Sequence, residues 1–239
     1  MQTLSILAVL AACCVVVYLA LRLEKRFGSA LAIENAVGGA VALCQLVGSR
    51  DWATTIRTLR RSGVPVNDHR RAPTFKPAAP KQLPWRVRGA NVFEEALYFV
   101  DLEGRPCAAM LLLPRGYKAE RDAYSQSVVG RWGDATGLDC DGGHLLPHAI
   151  GGIGSRLNLV PQATSLNKGP WAEAEEDCWR VGRIRKRGDR LVYYVSVEYR
   201  GGIVPNTFRL RLYDLRQKRF VHDRSFRNSN EAGEQVVAA

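Results

Sequence analysis

The chain reads as an α+β protein built on an antiparallel sheet, preceded by an apolar N-terminal helix and a proline-rich, basic linker. Three observations predict this class. An apolar run over 4–23 precedes everything else, and prolines with basic residues crowd 62–84. Short runs of β-branched, aromatic and leucine residues then recur between turn residues: 92–102 and 107–113 around Glu103-Gly104-Arg105, then 191–199 after Arg187-Gly188-Asp189, with 208–213 and 219–222 following. Between the two groups of strands lies an acidic stretch over 170–181 that Pro170 starts as a helix, since proline suits a first helical turn.

Taken in order, 4–23 carries no charge before Arg22 and is long enough to span a bilayer as a helix. A secretory signal has a basic leader and a shorter apolar core. Here Met1-Gln2-Thr3 carries no side-chain charge, whereas Arg22, Glu24, Lys25 and Arg26 follow the run, so 1–28 reads as a transmembrane anchor before a cleaved signal. The basic flank favours a cytoplasmic C-terminal side. Residues 29–48 are apolar and small but include Glu34 and Asn35, which suits a helix packed on something better than a second span. Over 51–61, Trp52, Ile56 and Leu59 recur at helical spacing. The stretch 62–84 is a linker or extended arm. The main domain is expected over 85–228, and 229–239 as a flexible tail.

Composition narrows the function. The 239 residues hold 34 Lys and Arg against 23 Asp and Glu, a formal charge of +11. Such a balance suits a polyanionic partner, nucleic acid or an anionic membrane. The excess concentrates over 180–227, where fourteen basic residues meet four acids, interleaved with Tyr193, Tyr194, Tyr199, Phe208 and Phe220. On strands, that pattern gives either a positive face tracking a phosphate backbone or aromatics in the core with arginines in water. Six cysteines are too few for a disulfide scaffold of this length.

The chemistry concentrates in 141–179: Asp-Gly-Gly-His-Leu-Leu-Pro-His, then Asn-Leu-Val-Pro-Gln, then Leu-Asn-Lys-Gly-Pro-Trp and an acidic helix. A histidine side chain ordinarily titrates near neutrality, so His144 suits a general base, with Asp141 close enough to position it. Asn167 offers a neutral oxygen to a hard cation from a turn before the helix. Glu173, Glu175 and Glu176 follow Trp171. Taken singly, each has an ordinary structural role as well: an exposed histidine, a capping asparagine, a solvated acidic helix face. Cys140, His144, His148 and Cys178 also permit a Cys2His2 zinc site, although Pro147 breaks the helix such spacing needs.

In order and spacing, Asp-x-Gly-His, Asn-Leu-Val-Pro-Gln and Leu-Asn-x-Gly-x-Trp with an acid four residues on resemble the DNA/RNA non-specific endonucleases of the ββα-metal (His-Me finger) superfamily, nearest the bacterial toxin and DNA-entry branch. The resemblance is sharp over 139–179 and extends as a pattern over 85–228. It implies a ββα-metal finger core and hydrolysis of phosphodiester bonds in DNA, with RNA as a second substrate, leaving 5′-phosphate and 3′-hydroxyl ends. It implies His144 as general base, assisted by Asp141 and by Glu175, which holds the water shell of a single Mg2+ (Mn2+ as substitute) ligated by Asn167. Arg131, Arg156, Gln162 and Lys168 are then the substrate-binding residues, and Asn158 and Trp171 structural ones. The better-known members carry Arg where this chain has Gly142, so Arg131, Arg156 or another cation must substitute for it. The alternative is a catalytically impaired nucleic-acid-binding protein tethered to a membrane. The expected setting is bacterial, membrane-anchored by a single span or secreted, with an immunity or inhibitor protein as a further partner.

Overall fold

The structure, a computed structural model, describes residues 29–71, 83, 87–113, 122–184, 190–231 and 235–236. The expected anchor over 1–28, most of the proline-rich linker and the Arg187-Gly188-Asp189 turn lie outside them. Helices α1 (Ala30–Ala36), α2 (Ala40–Gly48) and α3 (Trp52–Arg61) come first, followed by strands β1 (Val66–Asp68), β2 (Gly89–Phe93), β3 (Ala96–Val100) and β4 (Pro106–Leu113). Next are α4 (Ala123–Asp134), β5 (Cys140–His144), β6 (Leu159–Ala163), the short α5 (Thr164–Lys168) and α6 (Pro170–Ile184). Strands β7 (Leu191–Glu198), β8 (Thr207–Asp214), β9 (Arg219–Arg227) and β10 (Gln235–Val236) complete the order.

The main sheet runs β1-β2-β3-β4-β7-β8-β9-β10, and β5-β6 form a separate hairpin. Among the described residues only the β1–β2 pairing is parallel. The architecture is thus α+β with an antiparallel-rich sheet. Alternation along β3 sends Tyr98 and Val100 to the front of the sheet and Leu97 and Phe99 to the rear. The front packs on Leu146, Leu157, Val160 and Trp171 from the hairpin and α6. The rear packs on Ile33, Leu43, Val47 and Leu59 from α1–α3. Because both faces are covered, β3 and β4 are buried at every position, and their sequences show no polar alternation.

A buried polar clamp joins the N-terminal helices to the sheet. Glu34 of α1 accepts from the Tyr194 hydroxyl and from Arg211 Nη2, and Arg211 also reaches Ser196 Oγ at 3.1 Å. The Arg211 guanidinium lies over the Tyr194 ring, 4.1 Å from its centroid. The stretch expected as a helical lead-in and linker therefore contributes three helices and β1 to the same packed body as the sheet.

Several elements differ from the sequence expectations. The strand expected over 92–102 is two strands joined at Glu94-Glu95, which take φ of 42° and 61°. A two-residue hairpin turn of this kind needs left-handed φ at both positions, and Asn or Gly ordinarily announces it. Two exposed glutamates give no such signal. The helix expected over 29–48 bends by 74° between α1 and α2, where Gly38 and Gly39 take φ of 91° and 107°. Among the described residues no single helix is long and apolar enough to cross a membrane. In the tail, β10 pairs with β9.

The basic, aromatic stretch also resolves. Tyr193 and Phe208 enter the front core and Tyr194 the rear core. Arg211 is buried on Glu34, Arg209 pairs with Asp223, and Arg224 and Arg180 both reach Asp177. The aromatics thus face the cores, and several of the arginines are committed to neighbouring acids.

Candidate active site

The β5-β6 hairpin pairs His144 with Leu159 and Asp141 with Gln162. Alternation along β5 puts Gly142 and His144 toward α4, and Asp141 toward α5. Asp122 caps α4 by accepting from the Ser125 amide at 3.0 Å. The helix lies unusually close to β5: a Cβ built on Gly142 would stand 2.3 Å from the Gln126 carbonyl oxygen, and one on Gly130 2.7 Å from the Cys140 oxygen. The departure at position 142 is therefore steric. The backbone of α4 occupies the space an arginine side chain would need.

Gln126 sits at the centre of that contact. Its Nε2 lies 3.4 Å from both His144 Nδ1 and the Gly142 carbonyl oxygen. With the amide in this orientation, N–H groups point at Nδ1 and at the carbonyl; turned over, Oε1 accepts from Nδ1–H instead. Either way the amide selects the imidazole tautomer. No reading of the sequence singled out Gln126. Helix α4 was not expected at all, because Gly130 and Gly133 lower its helical propensity. The one local signal was Asp122 ahead of a Ser-Gln segment.

Immediately after His144 the chain is pinned. Asn158 Oδ1 accepts from the Leu146 amide at 2.8 Å, and its Nδ2 donates to the Leu146 and Ile153 carbonyls at 2.9 Å each. Fully buried, Asn158 fixes the exit of β5 and with it the direction of His144.

On the opposite side of the hairpin, Asn167 of α5 donates from Nδ2 to Asp141 Oδ2 at 3.0 Å. Lys168 Nζ lies 3.2 Å from the same carboxylate. Arg131, Asp134, Asp141, Asn167 and Lys168, with Gln126, line a polar cleft of about 530 Å3. Because its Nδ2 is tied to Asp141, Asn167 has Oδ1 as the atom available to a cation. Oxygen donors in a cleft roomy enough for several waters fit a hard ion such as Mg2+, which keeps much of its hydration shell. The zinc alternative does not fit. Among the described residues no group of three or more His, Cys, Asp and Glu converges, and burial pushes the Cys140 and Cys178 thiols up to about 12.

Glu175 stands elsewhere. It lines a second, mostly apolar pocket of about 200 Å3 with Pro147, Ile150, Cys178, Trp179 and Tyr193, and the two linings share no residue. Trp171 Nε1 donates to Glu175 Oε1 at 2.9 Å, and the Trp171 ring packs edge-on against Phe208 and Phe226. Burial pushes the Glu175 carboxyl up to about 7, against the opposing pull of the Trp171 and Tyr193 donors.

Two expected substrate-binding residues are buried. Arg156 is 3% exposed, donates to the Leu159 carbonyl and stacks over Trp132 at 4.8 Å. Gln162 is fully buried on β6, its amide folded over the missing side chain of Gly143. Both are packing residues of the hairpin, since a phosphate cannot reach a guanidinium or an amide enclosed by apolar groups. Arg131 and Lys168 are exposed at the cleft.

Residues 88–211, more than half of the chain, match the DNA/RNA non-specific endonuclease family. Two structures of NucA from Streptococcus agalactiae are similar to the chain. The metal-free one is 18% identical over 58% of this chain and 72% of its own, with a TM-score of 0.42. The one with magnesium bound is 19% identical over 58% and 74%, with a TM-score of 0.44.

Proposed function

Because the chain belongs to the DNA/RNA non-specific endonuclease family and is a nucleic-acid hydrolase, we propose that it cleaves phosphodiester bonds with His144 as general base and a divalent metal held by Asn167. His144 takes the proton of the attacking water on Nε2, the nitrogen left unprotonated when Gln126 Oε1 accepts from Nδ1–H. Asp141 accepts from the Asn167 amide and so holds Oδ1 toward the cleft. Lys168 partly neutralises Asp141, leaving Asn167 as the direct ligand. Mg2+, with Mn2+ as a substitute, would supply positive charge against the charge developing on the phosphoryl group and the leaving oxygen. Arg131, across the cleft from Lys168, takes the phosphate-contacting part that position 142 cannot. Glu175, expected to act on the metal's water shell, lies in the neighbouring pocket, whose lining shares no residue with the cleft, and takes no part in this reading.

The substrate is DNA, with RNA as a second. Contacts made to phosphate carry no sequence information, so cleavage without preference follows. The apolar run over 4–23 tethers the enzyme to a bacterial membrane in this reading, and an inhibitor or immunity protein is the partner expected if it acts against other cells.

The observation that carries the reading is the Asn167–Asp141 hydrogen bond, which ties the proposed oxygen ligand to the strand that also carries His144. The test is plasmid cleavage by the full-length protein with Mg2+ and with EDTA. Cleavage is expected only with the metal, and His144→Ala should lower the rate about 10²- to 10⁴-fold. Intact plasmid from folded protein sinks the proposal; undiminished cutting by the variant places the base elsewhere.

A further inference from the structure

Among the described residues the exposed large hydrophobic side chains are Leu31, Val41 and Tyr124. Leu31 and Val41 belong to α1 and α2 at the rear of the sheet. Tyr124 stands alone at the front, in the first turn of α4, and is 62% exposed. The residues of α4 that line the polar cleft are Ala123, Gln126, Ser127, Gly130, Arg131 and Asp134, one face of the helix. Tyr124 lies at the margin of that face. It is seven residues from Arg131, which places the two within about 20° of each other around the axis and about 10 Å apart along it.

That separation is about three base steps along one nucleic-acid strand. A ring that burial does not require, beside a cleft carrying Arg131 and Lys168, matches the pairing of cation and aromatic that binds single strands. In a duplex the base faces are already stacked on their neighbours, so an exposed ring at the cleft margin gains nothing from them. An unpaired base has a face to offer.

We propose that Tyr124 is a stacking platform for an unpaired base, and that α4 gives the enzyme a preference for single-stranded or frayed nucleic acid at this cleft. The inference rests on the nuclease reading of the cleft. The base stacks on Tyr124 while the same strand's phosphates pass Arg131 and Lys168. Tyr124 is then a substrate-positioning residue; nothing in the geometry brings it to the reacting phosphorus.

The test measures binding apart from cleavage. Full-length wild type, Tyr124→Ala and Tyr124→Trp are titrated in EDTA against a fluorescein-labelled oligothymidylate, its abasic counterpart and a duplex of equal length, read by anisotropy. Loss of one base stack weakens single-strand binding by about 5- to 150-fold. Tyr124→Ala should show that loss on the oligothymidylate and little change on the duplex or the abasic strand, and Tyr124→Trp should restore wild-type affinity. Equal affinity of wild type and Tyr124→Ala for the oligothymidylate overturns the proposal. So does an equal loss on all three probes, which is the mark of general electrostatic or structural damage. Cleavage of the same strands with Mg2+ is scored separately. A wild type that binds with these preferences but cuts nothing refutes the catalytic reading and leaves the stacking site standing.

Discussion

Restoring an arginine at Gly142 would seem to complete the motif, and the packing around that residue argues the reverse. The Cβ that any substitution adds would stand 2.3 Å from the Gln126 carbonyl oxygen and 2.7 Å from its Cα, both backbone atoms of α4. Backbone cannot rotate away as a side-chain tip can, so α4 must shift from β5. Gly130, buried against Cys140 and Gly142 from the helix side, has no slack to absorb that movement. Overpacking of this kind costs about 1–3 kcal/mol for a methyl, and more for a long charged chain. For a protein of this size each kcal/mol lowers Tm by about 2–4 °C, so Gly142→Ala should melt about 2–12 °C below wild type. Gly142→Arg should melt lower still and cut plasmid more slowly, because the displaced helix carries Gln126 away from His144. Thermal melts by circular dichroism with plasmid nicking on the same preparations measure both. An arginine variant with wild-type Tm and raised activity would refute the steric explanation of this position.

Other consequences are testable on the same footing. Removing the clamp acid with Glu34→Ala leaves Arg211, 4% exposed, as an uncompensated buried charge. That costs about 3–5 kcal/mol, or about 6–20 °C in Tm; an unchanged melt would show that the clamp contributes nothing. Glu175 is a half-buried acid whose carboxyl is raised from 4.5 to about 7 in the fold. The fold favours the protonated form, so its contribution is fully present below about pH 4.5 and is lost as pH rises to about 7. Measured in EDTA, Glu175→Gln should gain about 2 kcal/mol over wild type across that window, with the exposed part of the carboxyl discounted. Parallel pH–stability curves for the two proteins would contradict this.

Within 141–179 the sequence was legible because the residues proposed for the site are close in the chain. One strand, one return strand and the start of one helix hold Asp141, His144, Asn158 and Asn167, so spacing alone carries much of their geometry. The strands of the main sheet were legible for a similar reason, since turn residues and β-branched runs are local signals. The Glu94-Glu95 turn was not, because nothing in two glutamates announces left-handed φ. Arg156 and Gln162 show the limit from the other side. Their residue types suit phosphate, and only the enclosing side chains reveal that no phosphate reaches them.

By itself, then, the order of residues determined the family and the α+β class, and it pointed to the histidine and asparagine proposed for the site. Tertiary structure decided what surrounds them. It set α4 against β5 so closely that position 142 admits no side chain, and it brought Gln126 to the His144 ring. It placed Glu175 in a pocket apart from Asn167 and laid α1–α3 across the rear of the sheet. Each of these is a contact between segments distant in the chain. Local propensity does not encode such contacts, which arise when two covered faces of one sheet exclude water together.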